Sequence, residues 1–289
     1  MIECAIFGGV LLDKYLEMDM YPERGQDGLI KGEFDIAGGC SINMAATFNN
    51  LGGDAHIVSC AGVDATGREI REYMDRHGFS RKYVKEIPGD SGYCIVILEE
   101  NGERTFLTKK GVECLFDPEI IERDLKKIRN VMVTGYFLLS ENAAEIVERL
   151  SVIRRNGGRF LFDPGPLVAE IDRDVLDKML QMADIITANE VEAELLALPV
   201  DPTRIIVIKK GKAGGEVICG SERFDYEAKL LEAVDTTGAG DSFAAGLMYG
   251  LLSGKDIRSA VALAVECSAK TVTLKGPHGF WKIEMENNL

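Results

Sequence analysis

Residues 235–246 read DTTGAGDSFAAG, a run of small residues around a second aspartate, Asp241. A Gly-Ala-Gly turn at Gly238, Ala239 and Gly240 that enters a helix exposes unpaired backbone N–H groups beside the positive end of the helix dipole. Such a turn suits a phosphate, or the charge that develops on a phosphoryl group in transfer. Asp241 at that entrance is a carboxylate within reach of a hydroxyl attacking phosphorus. It is equally a residue type that caps helices, and nothing local separates base from cap. The helix that follows has Phe243, Ala244, Leu247, Met248, Leu251 and Leu252 on one face, and Gly254 after its end.

Three further stretches carry chemistry-bearing types. In AGGCSINMAATFNNLGG, Gly38 and Gly39 precede a helical pattern made by Ile42, Ala45, Ala46 and Leu51. Glycines let backbone approach a ligand at a helix start, and Asn43 in the first turn offers both a donor and an acceptor, as a polyhydroxylated substrate needs. The plainer alternative is a helix capped by Ser41 with a solvated Asn43. Asn189 and Glu192 follow the strand-like DIITAN, at the carboxyl end of a strand where α/β sheets gather ligand groups; hard oxygen ligands of this kind suit Mg²⁺, and acidic residues at a helix start also balance the dipole. KKGKAGG, Lys209 to Gly215 with Gly211 and Gly214, brings glycine backbone against a nucleotide or simply turns a hairpin into EVICG. Two common nucleotide fingerprints fail: G-x-G-x-x-G from Gly238 meets Phe243, and GLLSGKD is one residue short of G-x-x-x-x-G-K.

These residues need a scaffold. Apolar, β-branched runs recur as CAIFGG, AHIVSCAG, NVMVTGYFLL, RFLFDPG, DIITAN and RIIVIKKG, separated by charged stretches of helical periodicity, for example TGREIREYMDRHG and segments near 141–156, 172–182 and 189–198. That alternation predicts an α/β fold with a mostly parallel sheet covered by helices on both faces. Residues 14–36 and 92–109 break the rhythm, the second with a hairpin turn at Asn101-Gly102, and predict a small antiparallel sheet beside the main one, a lid or a dimer interface. The 289 residues read as one domain with that appendage, and WKIEMENNL as a loosely held terminus.

Composition narrows the partners. With 33 basic and 47 acidic side chains the net charge is −14, and no extended Lys/Arg run offers a footprint for nucleic acid or an anionic membrane. Glu3 and Asp13 interrupt the N-terminal apolar run, which reads as neither a signal peptide nor a span, so a cytoplasmic protein is expected. Seven scattered cysteines without a C-x-x-C pair, and the distant His56, His77 and His278, imply no transition-metal site.

In order and spacing these elements resemble the ribokinase-like (PfkB) carbohydrate kinases over nearly the whole chain: Gly-Gly-x-x-x-Asn at Gly38–Asn43 with Gly62 beyond it, Asn-x-x-Glu at Asn189–Glu192, and DTTGAGDSF. The resemblance implies an ATP- and Mg²⁺-dependent kinase of a small sugar or sugar-like substrate, with Asp241 as general base and Gly238, Ala239 and Gly240 as anion hole. It implies Asp13, Gly39 and Asn43 on the substrate, Asn189 with Lys209, Gly211 and Gly214 along the nucleotide, and Glu192 toward Mg²⁺ through water. Asp235 and Thr237 match positions that bind a monovalent cation, K⁺, in many relatives. Members handling ribose or phosphosugars often read Gly-Gly-Lys-Gly-x-Asn; here Cys40 and Ser41 replace the Lys and Gly, which favours a neutral sugar or nucleoside, with Arg104 left to meet an acidic one. A nucleoside kinase, with Phe106 as stacking ring, and a catalytically silent binding protein are the alternatives. A homodimer through the lid is also expected.

Overall fold

The apolar runs form strands buried on both faces, because helices flank the sheet on either side. The computed structural model describes residues 1–100, 103–197 and 203–280. In chain order the strands are β1 (Glu3–Phe7), β2 (Leu11–Met18), β3 (Gly32–Gly38), β4 (Asp54–Gly62), β5 (Ser80–Ile87), β6 (Tyr93–Glu99), β7 (Arg104–Lys109), β8 (Asn130–Thr134), β9 (Arg159–Asp163), β10 (Ile185–Asn189), β11 (Ile205–Lys209), β12 (Gly215–Cys219) and β13 (Glu222–Tyr226). The helices are α1 (Cys40–Asn50), α2 (Ala65–Arg76), α3 (Ala143–Arg155), α4 (Arg173–Met182), α5 (Glu190–Leu196), α6 (Ala239–Leu252) and α7 (Ile257–Thr271).

Among the described residues, nine strands make the main sheet in the order β13-β12-β11-β10-β9-β8-β1-β4-β5. From β11 to β5 every pairing is parallel, and β12 and β13 are added antiparallel at one edge. The two-residue period of the strands deals side chains to two cores. Cys4, Ile6, Met132 and Leu161 enter the one shared with Phe48 of α1 and Leu247 of α6. Ala5, Phe7, Val131, Val133, Phe160 and Phe162 enter the other, under α3 and α4.

The second sheet runs β3-β2-β6-β7. Its outer pairs are antiparallel, while the central β2 and β6 run parallel. Its inner face buries Tyr15, Cys94 and Val96, with Tyr15 stacked on Phe34 at 4.4 Å. Glu113, buried, accepts from the backbone N–H of Gly92 at 2.7 Å and of Gly111 at 2.8 Å, so one carboxylate ties both feet of the β6–β7 pair. The Asn101-Gly102 turn, the last residue of the 189–198 segment and the terminal WKIEMENNL stretch lie outside the described residues.

Candidate active site

Thr134, Asp163, Asn189 and Lys209 are the last residues of β8, β9, β10 and β11, and all four line a cavity of about 850 Å³. Ligand groups of α/β sheets collect at this end because the strands stop there and helix N-termini open toward it. The cavity is bounded opposite by Gly238, Ala239, Gly240 and Asp241, by Gly211 and Gly214 of the β11–β12 connection, and by Arg104 from β7. That connection is a hairpin, since β12 returns antiparallel to β11, and its Gly211 and Gly214 line the cavity.

Both local cap alternatives fail. The N-cap of α6 is Gly238 at φ 74°, which leaves Asp241 inside the first turn with its side chain free for other work. A Cβ at Gly238 would collide with the Pro277 carbonyl oxygen. The N-cap of α1 is Gly39 at φ 89°, not Ser41, whose hydroxyl donates to the Gly9 carbonyl at 2.6 Å. A Cβ at Gly39 would stand 2.6 Å from that same carbonyl oxygen, so only glycine enters α1 this way.

The two helix starts meet. Asn43, buried in the first turn of α1, donates its Nδ2–H to Asp241 Oδ2 at 2.8 Å across 198 residues of chain. Beneath them Thr47 Oγ1 donates to Ser242 Oγ at 2.9 Å, and Ser242 Oγ lies 2.7 Å from Thr271 Oγ1, a buried hydroxyl ladder joining α1, α6 and α7. Burial pushes the Asp241 carboxyl up to about 7; the Asn43 amide pulls it down, the nearby Asp163 pushes it up, and Lys209 pulls it down. Asp13, 6% exposed on β2, is pushed up to about 8 by burial and by the charges of Asp241 and Asp235, against one backbone hydrogen bond from Gly39.

The residues at the ends of β9, β10 and β11 are ordered by their own contacts. Asp163 Oδ2 accepts from Lys209 Nζ and from Thr187 Oγ1, each at 2.8 Å. Burial alone would pull the Lys209 ammonium down, but Asp163, with Glu192 and Asp241, more than reverses it and the lysine stays charged. Asn189 and Glu192 close a capping box: Glu192 accepts from the Asn189 backbone N–H at 2.9 Å and Nδ2 at 2.8 Å, and its own N–H donates to Asn189 Oδ1 at 2.8 Å. The pair closes the start of α5 and lines the cavity, and the carboxylates of Asp163 and Glu192, both held by protein donors, are hard oxygen groups of the kind Mg²⁺ takes directly or through water.

Asp235 is buried and fully engaged: Oδ1 accepts from Arg104 Nη1 at 3.1 Å and from the Thr237 N–H at 2.9 Å, Oδ2 from the Gly276 N–H at 3.3 Å. The hydroxyls of Thr237 and Tyr15 are buried without a hydrogen-bond partner. Oxygen donors that fit K⁺ are thus present, but the charge of Asp235 is already matched by a guanidinium. Among the described residues no group of three or more His, Cys, Asp or Glu side chains could hold a metal ion.

Sequence reasoning missed Asp163, although an aspartate closing a buried run and followed by Pro-Gly, RFLFDPG, was a readable signal. It placed Arg104 in the smaller sheet without its partner Asp235. Phe106 is half-exposed on β7 and lies outside the cavity lining; the rings that line it are Tyr136, Tyr226 and Phe243.

Comparison with known proteins decides the family. The description "pfkB family carbohydrate kinase" matches residues 32–282. The chain belongs to the PfkB family of carbohydrate kinases. As expected from its motifs, it is a carbohydrate kinase of that family with a ribokinase-like fold. It is 29% identical to an ATP-dependent ribose-1-phosphate kinase of Halopiger xanaduensis, covering 96% of this chain and 94% of that one. It is 26% identical to the ribokinase of Bacillus subtilis, covering 95% and 94%. Among solved structures, the nucleoside kinase of Burkholderia thailandensis in complex with inosine superposes with a TM-score of 0.81 at 25% identity, covering 96% and 93%. Among the described residues no helix is long and apolar enough to cross a membrane.

Proposed function

We propose that the protein transfers the γ-phosphoryl group of ATP to a hydroxyl of a neutral sugar or nucleoside, with Asp241 as general base. The observation that carries this reading is the Asn43–Asp241 hydrogen bond: it joins the two glycine-entered helix starts and holds a carboxylate on the cavity wall, one residue after Gly240. Phosphoryl transfer asks a protein for positioning and charge stabilisation rather than covalent chemistry. Asp241 accepts the proton of the attacking hydroxyl, and the N–H groups of Gly238 and Gly240 face the charge on the transferred group, with Ala239, whose N–H donates to the Thr236 carbonyl at 3.3 Å, completing the turn. Asp13, Gly39 and Asn43 hold substrate hydroxyls; a carboxyl as reluctant to ionise as that of Asp13 can donate a hydrogen bond as well as accept one. Lys209, set by Asp163, and the Gly211 and Gly214 backbone lie along the phosphates, with Asn189. Glu192 and Asp163 would hold Mg²⁺ through water, and the ion would neutralise phosphate charge there. A monovalent cation at Asp235 and Thr237 would take the place of Arg104.

Two features favour a neutral acceptor. The start of α1 contributes Cys40 to the cavity and buries Ser41, so no cation stands there for a substrate phosphate. Arg104 is neutralised by Asp235. The nucleoside alternative draws on the fold match with the inosine complex. Loss of catalysis on the same fold would show as damage at Asp241, Gly238 or Gly240, and all three are intact.

The four-stranded sheet is then the lid of a single ribokinase-like unit, and a homodimer forms through it. Phe106 and Leu107 stand half-exposed on β7, and a strictly monomeric profile in light scattering at micromolar concentration counts against the dimer. The base is tested by ADP release over D-ribose, D-fructose, ribose 1-phosphate, adenosine and inosine. Asp241→Asn should lower kcat by about 10²- to 10⁴-fold while ATP binding persists. The native profile of kcat/KM should rise with pH through a midpoint near 7, since only the ionised carboxylate is a base. Full turnover by the variant with its best acceptor overturns the assignment.

A further inference from the structure

Asn43, which aligns Asp241, is itself held from behind. His278 Nδ1 lies 3.0 Å from Asn43 Oδ1, and His278 Nε2 lies 2.9 Å from the Tyr73 hydroxyl. Tyr73 comes from α2 and His278 from the segment after α7, so four elements far apart in the chain close one line of hydrogen bonds. We infer that His278, backed by Tyr73, is a positioning residue for the general base: it fixes the Asn43 amide so that its N–H, not its oxygen, faces Asp241. The inference rests on the proposed role of Asp241.

The chemistry of each partner sets the direction of the line. An ionised Asp241 only accepts, so Asn43 presents Nδ2 to it and turns Oδ1 toward the imidazole. Oδ1 only accepts, so the imidazole proton sits on Nδ1. Nε2 is left with a lone pair, which accepts from the Tyr73 hydroxyl. The line therefore runs Tyr73 O–H to His278 Nε2, His278 Nδ1–H to Asn43 Oδ1, and Asn43 Nδ2–H to Asp241 Oδ2. Were the proton on Nε2 instead, Asn43 would gain by flipping, and its oxygen would then face the carboxylate and repel it.

The surroundings keep His278 in this state. It is 3% exposed, with the rings of Tyr73, Phe79 and Phe280 set edge-on at 5.8, 6.4 and 6.3 Å. Burial, with His77 nearby, pulls the imidazole down to about 3, so it stays neutral through the working range. The charged and titratable groups that face Asp241 are Asp163, Lys209, Cys40 and Tyr136, with Asp13 acting on it by charge; none of them belongs to this line. A buried imidazole with both nitrogens paired orients its neighbour at little cost in mobility, as networks of satisfied groups do.

Two measurements test it. In histidine-labelled protein, nitrogen-15 NMR should show His278 neutral at pH 5 to 8 with the proton on Nδ1; a proton on Nε2, or an imidazolium at pH 5, overturns the inference. In kinetics with the fastest acceptor of the panel, His278→Leu should lower kcat about ten- to a hundredfold through a misaligned base. It should leave KM for ATP unchanged and move the acidic limb of kcat/KM to higher pH, because Asp241 loses the bond that favours its ionised form. His278→Asn, which can place an amide N–H near the same point, should restore most of kcat and the native limb. Equal activity and an unmoved limb in His278→Leu, or equal losses in both variants, overturn it. Should His278→Leu fail to fold, Tyr73→Phe decides, with a several-fold fall in kcat and a limb shift of the same sign expected and native behaviour refuting. Asp241→Asn separates the two levels: if it is inactive while the His278 variants behave as native, the base stands and the positioning line falls.

Discussion

Replacing Asp13 by Asn should make the protein more stable, by an amount that grows with pH. Its carboxyl is pushed from an ordinary 3.8 to about 8 by burial first and by the neighbouring Asp241 and Asp235 second. A group held more tightly by its proton in the folded state favours folding most when that proton is present in both states. Stability from this source is full below about 3.8 and is lost as pH rises toward 8. Each tenfold difference in proton affinity corresponds to about 1.4 kcal/mol, so the loss between pH 5 and pH 8 is about 3 to 4 kcal/mol. In a chain of this length 1 kcal/mol moves Tm by about 2 °C, so the gain from Asp13→Asn should be roughly 7 °C larger at pH 8 than at pH 5. Any constant cost of the amide cancels in that difference. Differential scanning fluorimetry at low salt and three pH values measures it, and the same variant should raise KM for the acceptor, since a stabler site has given up a substrate ligand. A gain equal at the two pH values, or larger at pH 5, refutes the burial argument.

Other outcomes follow from the same geometry. Ser242→Ala removes the middle of the Thr47–Ser242–Thr271 ladder and leaves buried hydroxyls short of a partner, at a cost of about 1 to 3 kcal/mol in urea unfolding. Because the ladder lies under the Asn43–Asp241 pair, kcat should fall as well, more than KM for ATP changes. With Arg104 on Asp235, native activity should differ less than about twofold between KCl and choline chloride at equal ionic strength. Arg104→Ala leaves a buried carboxylate beside the orphaned Thr237 and Tyr15 hydroxyls, and activity should then depend on K⁺. Indifference of that variant to K⁺ would show that the pocket does not take the ion.

The features legible in the residues alone are local and periodic. Runs such as RFLFDPG and DIITAN announce strands buried on both faces, and glycine before a helical pattern announces backbone open to a ligand; both are legible because they depend on neighbours a few residues away. The motif spacing also located Gly39, Asn43, Asn189, Glu192 and Asp241 before any of them had a place in space. The caps escaped it: Ser41 and Asp241 are good cap types, but the positive φ of Gly39 and Gly238 starts each helix earlier and releases both side chains. The partners of charge escaped it too. Asp163 with Lys209, and Arg104 with Asp235, are pairs 46 and 131 residues apart, joined only when parallel strands end side by side and β7 lies against the turn before α6. Tertiary structure alone decided that His278, one of three scattered histidines, stands behind Asn43, because a hydrogen bond is set by distance in space and leaves no period in the chain.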